Sequence, residues 1–139
     1  MAVYFAYGRM MHPDEMETRC PGAKCLGPAF MDGYRFIITS EGTHSMVQAP
    51  GKRVHGVLWD LRIAHVTVVD SAEALFRRAQ DKVLLPVRCG NITRNAIVYF
   101  GKTSRTGKPH AKAWDKIVPA AEHWKFPAQY IDELKKWGL

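Results

Sequence analysis

The segment Val3-Tyr4-Phe5-Ala6-Tyr7-Gly8-Arg9-Met10 decides how this chain begins to fold. Its first five residues are apolar or aromatic nearly throughout, which predicts a strand buried on both faces. Gly8 ends the strand, and a short helix is predicted over residues 13–17, where a proline and acids suit a helix N-terminus. Such a junction exposes backbone N–H groups, so it is either an anion site or, more commonly, an ordinary strand–turn–helix connection.

The remaining elements do not alternate as in a doubly wound sheet. Strands are predicted within residues 29–39, 45–49, 54–59, 82–88 and 96–100, with a turn at Pro50-Gly51-Lys52. Residues 62–76 are predicted to be partly helical, and residues 111–137 to form two short helices broken at Phe126-Pro127. Gly56, inside a strand, indicates a bulge or a close backbone approach. We therefore predict an α+β fold built on a small, strongly curved sheet.

The size and composition of the chain are those of one globular domain. It has 139 residues, of which 47% are hydrophobic and 24% charged, which predicts a single domain over residues 1–139 with one core. This composition excludes a disordered tail and a fibrous repeat. No apolar run approaches the roughly 20 residues that span a bilayer, and the first residues lack the basic region of a signal peptide. We expect a cytoplasmic protein with no membrane association.

The net charge of +7, from 20 Lys and Arg against 13 Asp and Glu, raises the hypothesis of nucleic-acid binding. The basic residues are scattered in pairs, however, such as Lys52-Arg53, Arg77-Arg78 and Lys135-Lys136, and no nucleic-acid motif accompanies them. The pattern favours solvated charge, or a preference for a small anion, over nucleic acid. A nucleic-acid-associated protein remains a third class, and its affinity would fall steeply with salt.

The cysteines and histidines do not indicate a metal site. Cys20, Cys25 and Cys89 are odd in number, and the first two are too far apart for a C-x-x-C motif. Apart from His12, which lies two residues before Asp14, the histidines do not fall at ligand spacing from a carboxylate. They are His12, His44, His55, His65, His110 and His123.

Two features could carry chemistry. Asp70 and Glu73 lie three residues apart on one predicted helix face, where one of them could act as a general acid/base. The simpler interpretation is two solvated helix acids. The late aromatics Trp114, Trp124, Tyr130 and Trp137 are spaced for core packing, and only Tyr130 carries a hydroxyl that could reach a substrate.

In combination, these segments resemble the γ-glutamylcyclotransferase (AIG2-like) superfamily. The opening segment is similar to its Y-F-x-Y-G-S-N-[ML] signature, and further segments resemble its motifs in the same order. They are Arg19-Cys20-Pro21-Gly22-Ala23, Leu26-Gly27-Pro28-Ala29, Gly33-Tyr34-Arg35-Phe36, Gly51 with Val54 and Gly56-Val57-Leu58-Trp59, Val69-Asp70-Ser71-Ala72-Glu73, Phe76-Arg77-Arg78, Ala96-Ile97-Val98-Tyr99 and Pro127-Ala128-Gln129-Tyr130-Ile131. The ordered set covers nearly the whole chain.

The resemblance implies a small closed β-barrel of mixed strands with helices packed outside. It also implies an acyl-transfer enzyme that cyclises a γ-glutamyl group. The α-amine attacks its own γ-carbonyl and releases 5-oxoproline and an amine. Because the nucleophile is tethered, orientation supplies much of the acceleration, and one carboxylate with a raised pKa can move the protons. The implied partner is a small γ-glutamyl molecule, with no metal or organic cofactor, and a homodimer is compatible with the family.

The resemblance assigns site residues one by one. Glu73 matches the family's catalytic acid/base. Gly8, Arg9 and Met10 match the loop whose backbone amides hold the substrate's carboxylate and carbonyl oxygens. Tyr7 would line the pocket, and Tyr130 could hydrogen-bond the substrate.

Some positions depart from the family pattern. Arg9 and Met10 replace the Ser and Asn of the loop, Ala74 follows Glu73 in place of Gly, and Trp114 stands where members have Tyr. Arg9 either pairs with a substrate carboxylate or fills the pocket. These departures leave a second hypothesis open, a catalytically impaired relative that binds a small amino-acid-derived anion.

Overall fold

The computed structural model describes residues 2–77 and 80–139, without the side chains of residues 74–77. The predicted features at Ala74 and at Phe76-Arg77-Arg78 therefore lie outside the described side chains. The strands are β1 Ala2–Ala6, β2 Lys24–Ile38, β3 His44–Leu61, β4 Asp81–Cys89 and β5 Ile92–Phe100. The helices are α1 Pro13–Arg19, α2 Ile63–Arg77, α3 Ala111–Trp114, α4 Ile117–His123 and α5 Ala128–Trp137, with a 3₁₀ turn at Arg9–Met11.

The strands form a closed barrel in the order β1-β3-β2-β4-β5. β1 pairs antiparallel with β3 and parallel with β5, and the other pairs are antiparallel. The prediction of an α+β fold with a closed mixed barrel is confirmed. Closure places β1 between β3 and β5.

The predicted turn at Pro50-Gly51-Lys52 is wrong, because these residues lie within β3. β2 and β3 pair from Lys24↔Asp60 to Ile38↔His44, and their register shifts between Asp32 and Tyr34. At the shift, residues 49–52 of β3 face the single residue 33 of β2. Gly33 and Gly51 both have a positive φ here. The Pro-Gly signal therefore marks a bulge, which bends the long hairpin so that five strands can close.

The C-terminal segment contains three helices where two were predicted. The break at Phe126-Pro127 is confirmed, since α4 ends before it and α5 begins at Ala128. The additional break separates α3 from α4. Pro119 causes it, because proline has no N–H to donate to the carbonyl of Asp115 and its ring would clash there.

The core is built around β1, as its sequence predicts. Tyr4, Phe5, Ala6 and Tyr7 are each at most 1% exposed, so the strand is buried on both faces. Among the described residues, no helix has both the length and the apolar character that a membrane span requires.

Gly56 is a point of close approach between β3 and β1, which was one of the two alternatives its position left open. A Cβ at this residue would lie 2.4 Å from the Ala6 carbonyl oxygen and 2.7 Å from the ring of Phe5. The register of β2 and β3 is regular there, with Ala29 opposite Gly56. Gly56 therefore allows the two strands and the Phe5 ring to pack together.

We predict that Gly56→Ala lowers the free energy of unfolding by about 1–3 kcal/mol, the usual cost of overpacking a tight core. Urea unfolding at neutral pH measures it. The matched control is Gly51→Asn, where nothing lies within 4 Å of the added Cβ and asparagine tolerates the positive φ. Equal destabilisation by the two variants would contradict the close-packing account.

Candidate active site

Glu73 is buried between α2 and the barrel. α2 turns one face inward, on which Val69, Ala72 and Glu73 are each 1% exposed. The carboxylate oxygen Oε2 accepts a hydrogen bond from the Tyr4 hydroxyl of β1 at 2.9 Å. The interpretation of Asp70 and Glu73 as two solvated acids therefore fails for Glu73, whereas Asp70 is half exposed.

His44, at the start of β3, lies beside the same carboxylate. Its Nε2 is 3.7 Å from Oε1 of Glu73, an ion pair when the imidazole is protonated, and the residue is 3% exposed. The edge of the ring meets the Tyr7 ring, with centroids 4.9 Å apart. The sequence analysis did not identify His44 as a site residue. Its contact with Glu73 arises when the barrel closes, and no spacing of nearby residues in the sequence indicates it.

The glycine turn follows β1 directly and touches His44. A Cβ on Gly8 would lie 2.3 Å from both Cε1 and Nε2 of the imidazole. A larger residue at position 8 would have to displace this ring. Gly8 and Glu73 therefore come together around His44 and Tyr7 as a buried cluster, and Met10, further along the turn, is also nearly fully buried.

Asp70 anchors α2 to the barrel on the side next to Glu73. Its carboxylate accepts hydrogen bonds from the Tyr99 hydroxyl and from Lys82 Nζ, the latter at 2.8 Å. Tyr7 joins this group through its hydroxyl, which donates to the Tyr99 carbonyl oxygen at 2.5 Å. Burial works against ionisation of Asp70, but the bonds from Lys82 and Tyr99 and the charge of Lys82 outweigh it and hold its pKa below the usual range.

Arg9 is held by the protein itself. Its Nε lies 3.0 Å from Oε1 of Glu15 in α1, and its Nη1 donates to the Asp115 carboxylate and to the Lys112 carbonyl oxygen. The side chain thus joins the glycine turn to α1 and to the α3–α4 connection. The two roles expected for Arg9, pairing with a substrate carboxylate or filling the pocket, stay predictions.

Glu15 is the buried partner of Arg9. It also accepts a hydrogen bond from Arg19 Nε at 2.7 Å. Burial disfavours its charge, but the bonds and charges of Arg9 and Arg19 outweigh burial, so the pKa of Glu15 lies below its usual range and that of Arg9 is raised. The carboxylate therefore stays ionised and keeps the turn in place.

Tyr130 of α5 packs on His55 of β3, with ring centroids 4.7 Å apart. Its hydroxyl is 3.4 Å from the His55 carbonyl oxygen, and burial raises the pKa of that hydroxyl far above its usual value. The side chain lines a cleft of about 410 Å³ between α5 and the β2–β3 hairpin, together with Arg35, Lys52 and Lys136. A role of Tyr130 in substrate binding stays a prediction.

The family model described as "Gamma-glutamyl cyclotransferase, AIG2-like" matches residues 4–125. No curated protein matches the chain. Similar folds are found among solved structures. A protein named gamma-glutamyl cyclotransferase has a TM-score of 0.83 at 20% identity, over 96% of this chain and 86% of that one.

Two further structures have the same fold. An uncharacterised human protein has a TM-score of 0.82 at 20% identity, over 96% of this chain and 86% of its own. YkqA from Bacillus subtilis has a TM-score of 0.78 at 18% identity, over 97% of this chain and 53% of its own. At these identities the likeness concerns the fold alone.

We predict that Asp70→Asn destabilises the protein at neutral pH by about 1 kcal/mol, the modest value expected for a half-exposed pair. Because the native pKa is depressed, the wild-type advantage exists above the unfolded pKa and disappears as pH falls through the native one. Urea unfolding between pH 7 and pH 3 measures this.

The control for this prediction is Asp81→Asn. Asp81 is 62% exposed and lies 3.7 Å from Lys102, so a much smaller effect is expected. A pH-independent difference between wild type and Asp70→Asn would contradict the assignment.

For the Arg9 contact we predict that Arg9→Met lowers the free energy of unfolding by about 2 kcal/mol, because buried Glu15 loses one of its two cations. Methionine keeps the apolar stem of the side chain. The matched control is Arg19→Met, which removes the more exposed cation from the same carboxylate. Urea unfolding should show the larger loss for Arg9→Met, and the reverse order would contradict the account.

Proposed function

The chain belongs to the γ-glutamyl cyclotransferase, AIG2-like family, and we propose that it cyclises a small γ-glutamyl substrate and releases 5-oxoproline, with Glu73 as general acid/base. Family and fold indicate an activity of this type. The observation that most supports Glu73 as the acid/base is the position of its carboxylate. It is buried, accepts a hydrogen bond from Tyr4 and lies next to His44, which packs on the glycine turn.

The reaction requires that protons move from one nitrogen to another. The α-ammonium of the substrate gives a proton to Glu73, and the free amine then attacks the γ-carbonyl carbon. A C–N bond forms and the γ-amide C–N bond breaks. Over the whole reaction the attacking nitrogen loses two protons and the leaving nitrogen gains two. One carboxylate can transfer these two protons one after the other. The balance involves neither electron transfer nor an external nucleophile.

The other groups of the cluster have matching roles in this proposal. The backbone amides of Gly8, Arg9 and Met10 would stabilise the oxyanion and the substrate carboxylate, a task suited to amides that are fixed in advance. The Arg9–Glu15 contact keeps the turn rigid. The Tyr4 hydroxyl orients the Glu73 carboxylate so that its other oxygen lies next to His44, whose ring packs on the turn.

A second candidate function is binding of a small amino-acid-derived anion without turnover. One observation favours it: Arg9 and Met10 replace the Ser and Asn of the family's loop, and the Arg9 side chain is bound to Glu15 and Asp115. Both candidates place the ligand at the same cluster of residues. A measurement of turnover distinguishes them, because only the enzyme releases 5-oxoproline.

We predict that the protein releases 5-oxoproline from at least one member of a panel of γ-glutamyl amino acids and γ-glutamyl amines, as measured by mass spectrometry. Glu73→Gln should lower kcat by about 10²–10⁴-fold, the range of general acid–base catalysis. Glu122→Gln is the matched control, because Glu122 is an exposed helix acid near Lys135 and its loss should leave kcat unchanged.

Two results would contradict the enzyme proposal. The first is an absence of 5-oxoproline from the whole panel, and the second is a Glu73→Gln variant as active as wild type. Calorimetric binding of a panel member without turnover would support the second candidate instead.

A further inference from the structure

We propose that His44 occupies the ammonium end of the substrate site in the free protein, and that its imidazole must leave before a γ-glutamyl group can bind. The inference rests on the proposed function, and it assigns to His44 the control of substrate affinity. His44 would be a residue that competes with the substrate, rather than one that takes part in the chemistry.

The contact with Gly8 supports the first part of this argument. A Cβ on Gly8 would lie within 2.5 Å of Nδ1, Cε1 and Nε2 of the ring, so the imidazole rests directly on the turn. Under the proposed function, the amides of this turn face the carbonyl or carboxylate of the substrate. The imidazole therefore covers the space that those oxygens need.

The contact with Glu73 supports the second part. Tyr4 lies at Oε2 of the carboxylate, and His44 Nε2 lies 3.7 Å from Oε1. A substrate ammonium has to approach this carboxylate to about 3 Å to give up its proton. A protonated imidazole resembles an ammonium group, since it is a cation with N–H donors. When protonated, the ring thus stands in for the ammonium group that Glu73 would receive from the substrate.

Burial leaves little room for substrate and imidazole together. His44 is 3% exposed and Glu73 is 1% exposed, so the carboxylate is closed off from solvent while the imidazole lies beside it. A glutamyl group that spans from Gly8 to Glu73 would have to lie where the ring lies. Interiors are close-packed, and both cannot be present together.

The positions of the neighbouring groups indicate which side chain moves. Tyr4 is fixed in the middle of β1, between Trp59 of β3 and Ile97 of β5. His44 is the first residue of β3, directly after the hairpin turn. The turn backbone is held by bonds from Thr39 N to the Thr43 carbonyl (2.8 Å) and from His110 N to the Gly42 carbonyl (2.9 Å). Release of the site therefore requires a rotation of the His44 side chain and leaves the strand in place.

The expected size of the effect follows from competition. The apparent dissociation constant equals the intrinsic one divided by the fraction of molecules whose site is open. If the closed arrangement predominates at least about tenfold, removal of the ring tightens binding by at least about tenfold. The chemical step should change little, because the ring has already left when it occurs.

The test compares His44→Ala and His44→Ser with wild type, using the panel substrate that wild type cyclises best. We expect KM to fall about tenfold or more, with kcat within about threefold of wild type. Circular dichroism will show whether His44→Ala folds. If it does not, His44→Ser, which keeps a polar group, replaces it in the comparison. An unchanged KM would overturn the proposal, and so would a fall in kcat at constant KM, which would make the imidazole a proton carrier.

The matched control is His110→Ala. The His110 ring packs on Gly42 much as His44 packs on Gly8, with Cδ2 2.5 Å from the position of a Gly42 Cβ. The His110 ring adjoins the hairpin turn that directly precedes β3. Its removal loosens this hairpin turn without opening the space beside Glu73. KM should stay within about twofold of wild type. A fall in KM equal to that of His44→Ala would overturn the proposal, since loosening alone would then suffice.

A binding measurement separates this proposal from failure of the proposed function. L-glutamate, which has the ammonium and both carboxyl groups, is titrated calorimetrically into wild type and His44→Ala. Binding at least about tenfold tighter to the variant supports the proposal even if no 5-oxoproline is ever formed. Equal affinity overturns it. A variant that cyclises substrates on which wild type is inactive would support both proposals.

Discussion

The hydrogen bond from the Tyr4 hydroxyl to the Glu73 carboxylate is the contact on which the rest of the structure depends. It joins the central strand β1 to α2 across the wall of the barrel, at 2.9 Å and with both residues 1% exposed. A carboxylate in such a place costs several kcal/mol unless polar groups surround it. Beside Tyr4, His44 supplies one, with its Nε2 3.7 Å from the other oxygen. Asp70 fixes the same helix to Tyr99 and Lys82.

The second constraint is the glycine turn that leaves β1. Gly8 has no side chain, so the His44 ring can rest on it, and Arg9 is tied to Glu15 and Asp115 by charge. The arginine is one of the cations behind the net charge of +7. Its ion pairs hold the glycine turn against α1 and against the α3–α4 connection. Rigid amides beside a buried carboxylate are the arrangement that the proposed cyclisation needs.

The sequence predicted what depends on local chemistry. β1 and the turn at Gly8 were predictable because a short apolar run that ends in glycine has few alternatives, and the ordered resemblance added the barrel. Pro50 was misread, because Pro-Gly occurs in hairpin turns and in the bulges of a bent sheet alike. The local pattern did not decide which of Asp70 and Glu73 is the buried acid, because that depends on how α2 packs on the barrel. The contacts of Arg9 and His44 join residues far apart in the chain, and barrel closure creates them without any local pattern.

The most direct test of the central claim, that ligand chemistry takes place at Glu73, is a crystal structure of the protein with 5-oxoproline. We predict that the ring N–H of the bound molecule lies within hydrogen-bond distance of the Glu73 carboxylate, with its oxygens on the amides of residues 8–10 and the His44 ring displaced. The contradicting result would be 5-oxoproline in the cleft lined by Tyr130, Arg35 and Lys136, with His44 still against Gly8.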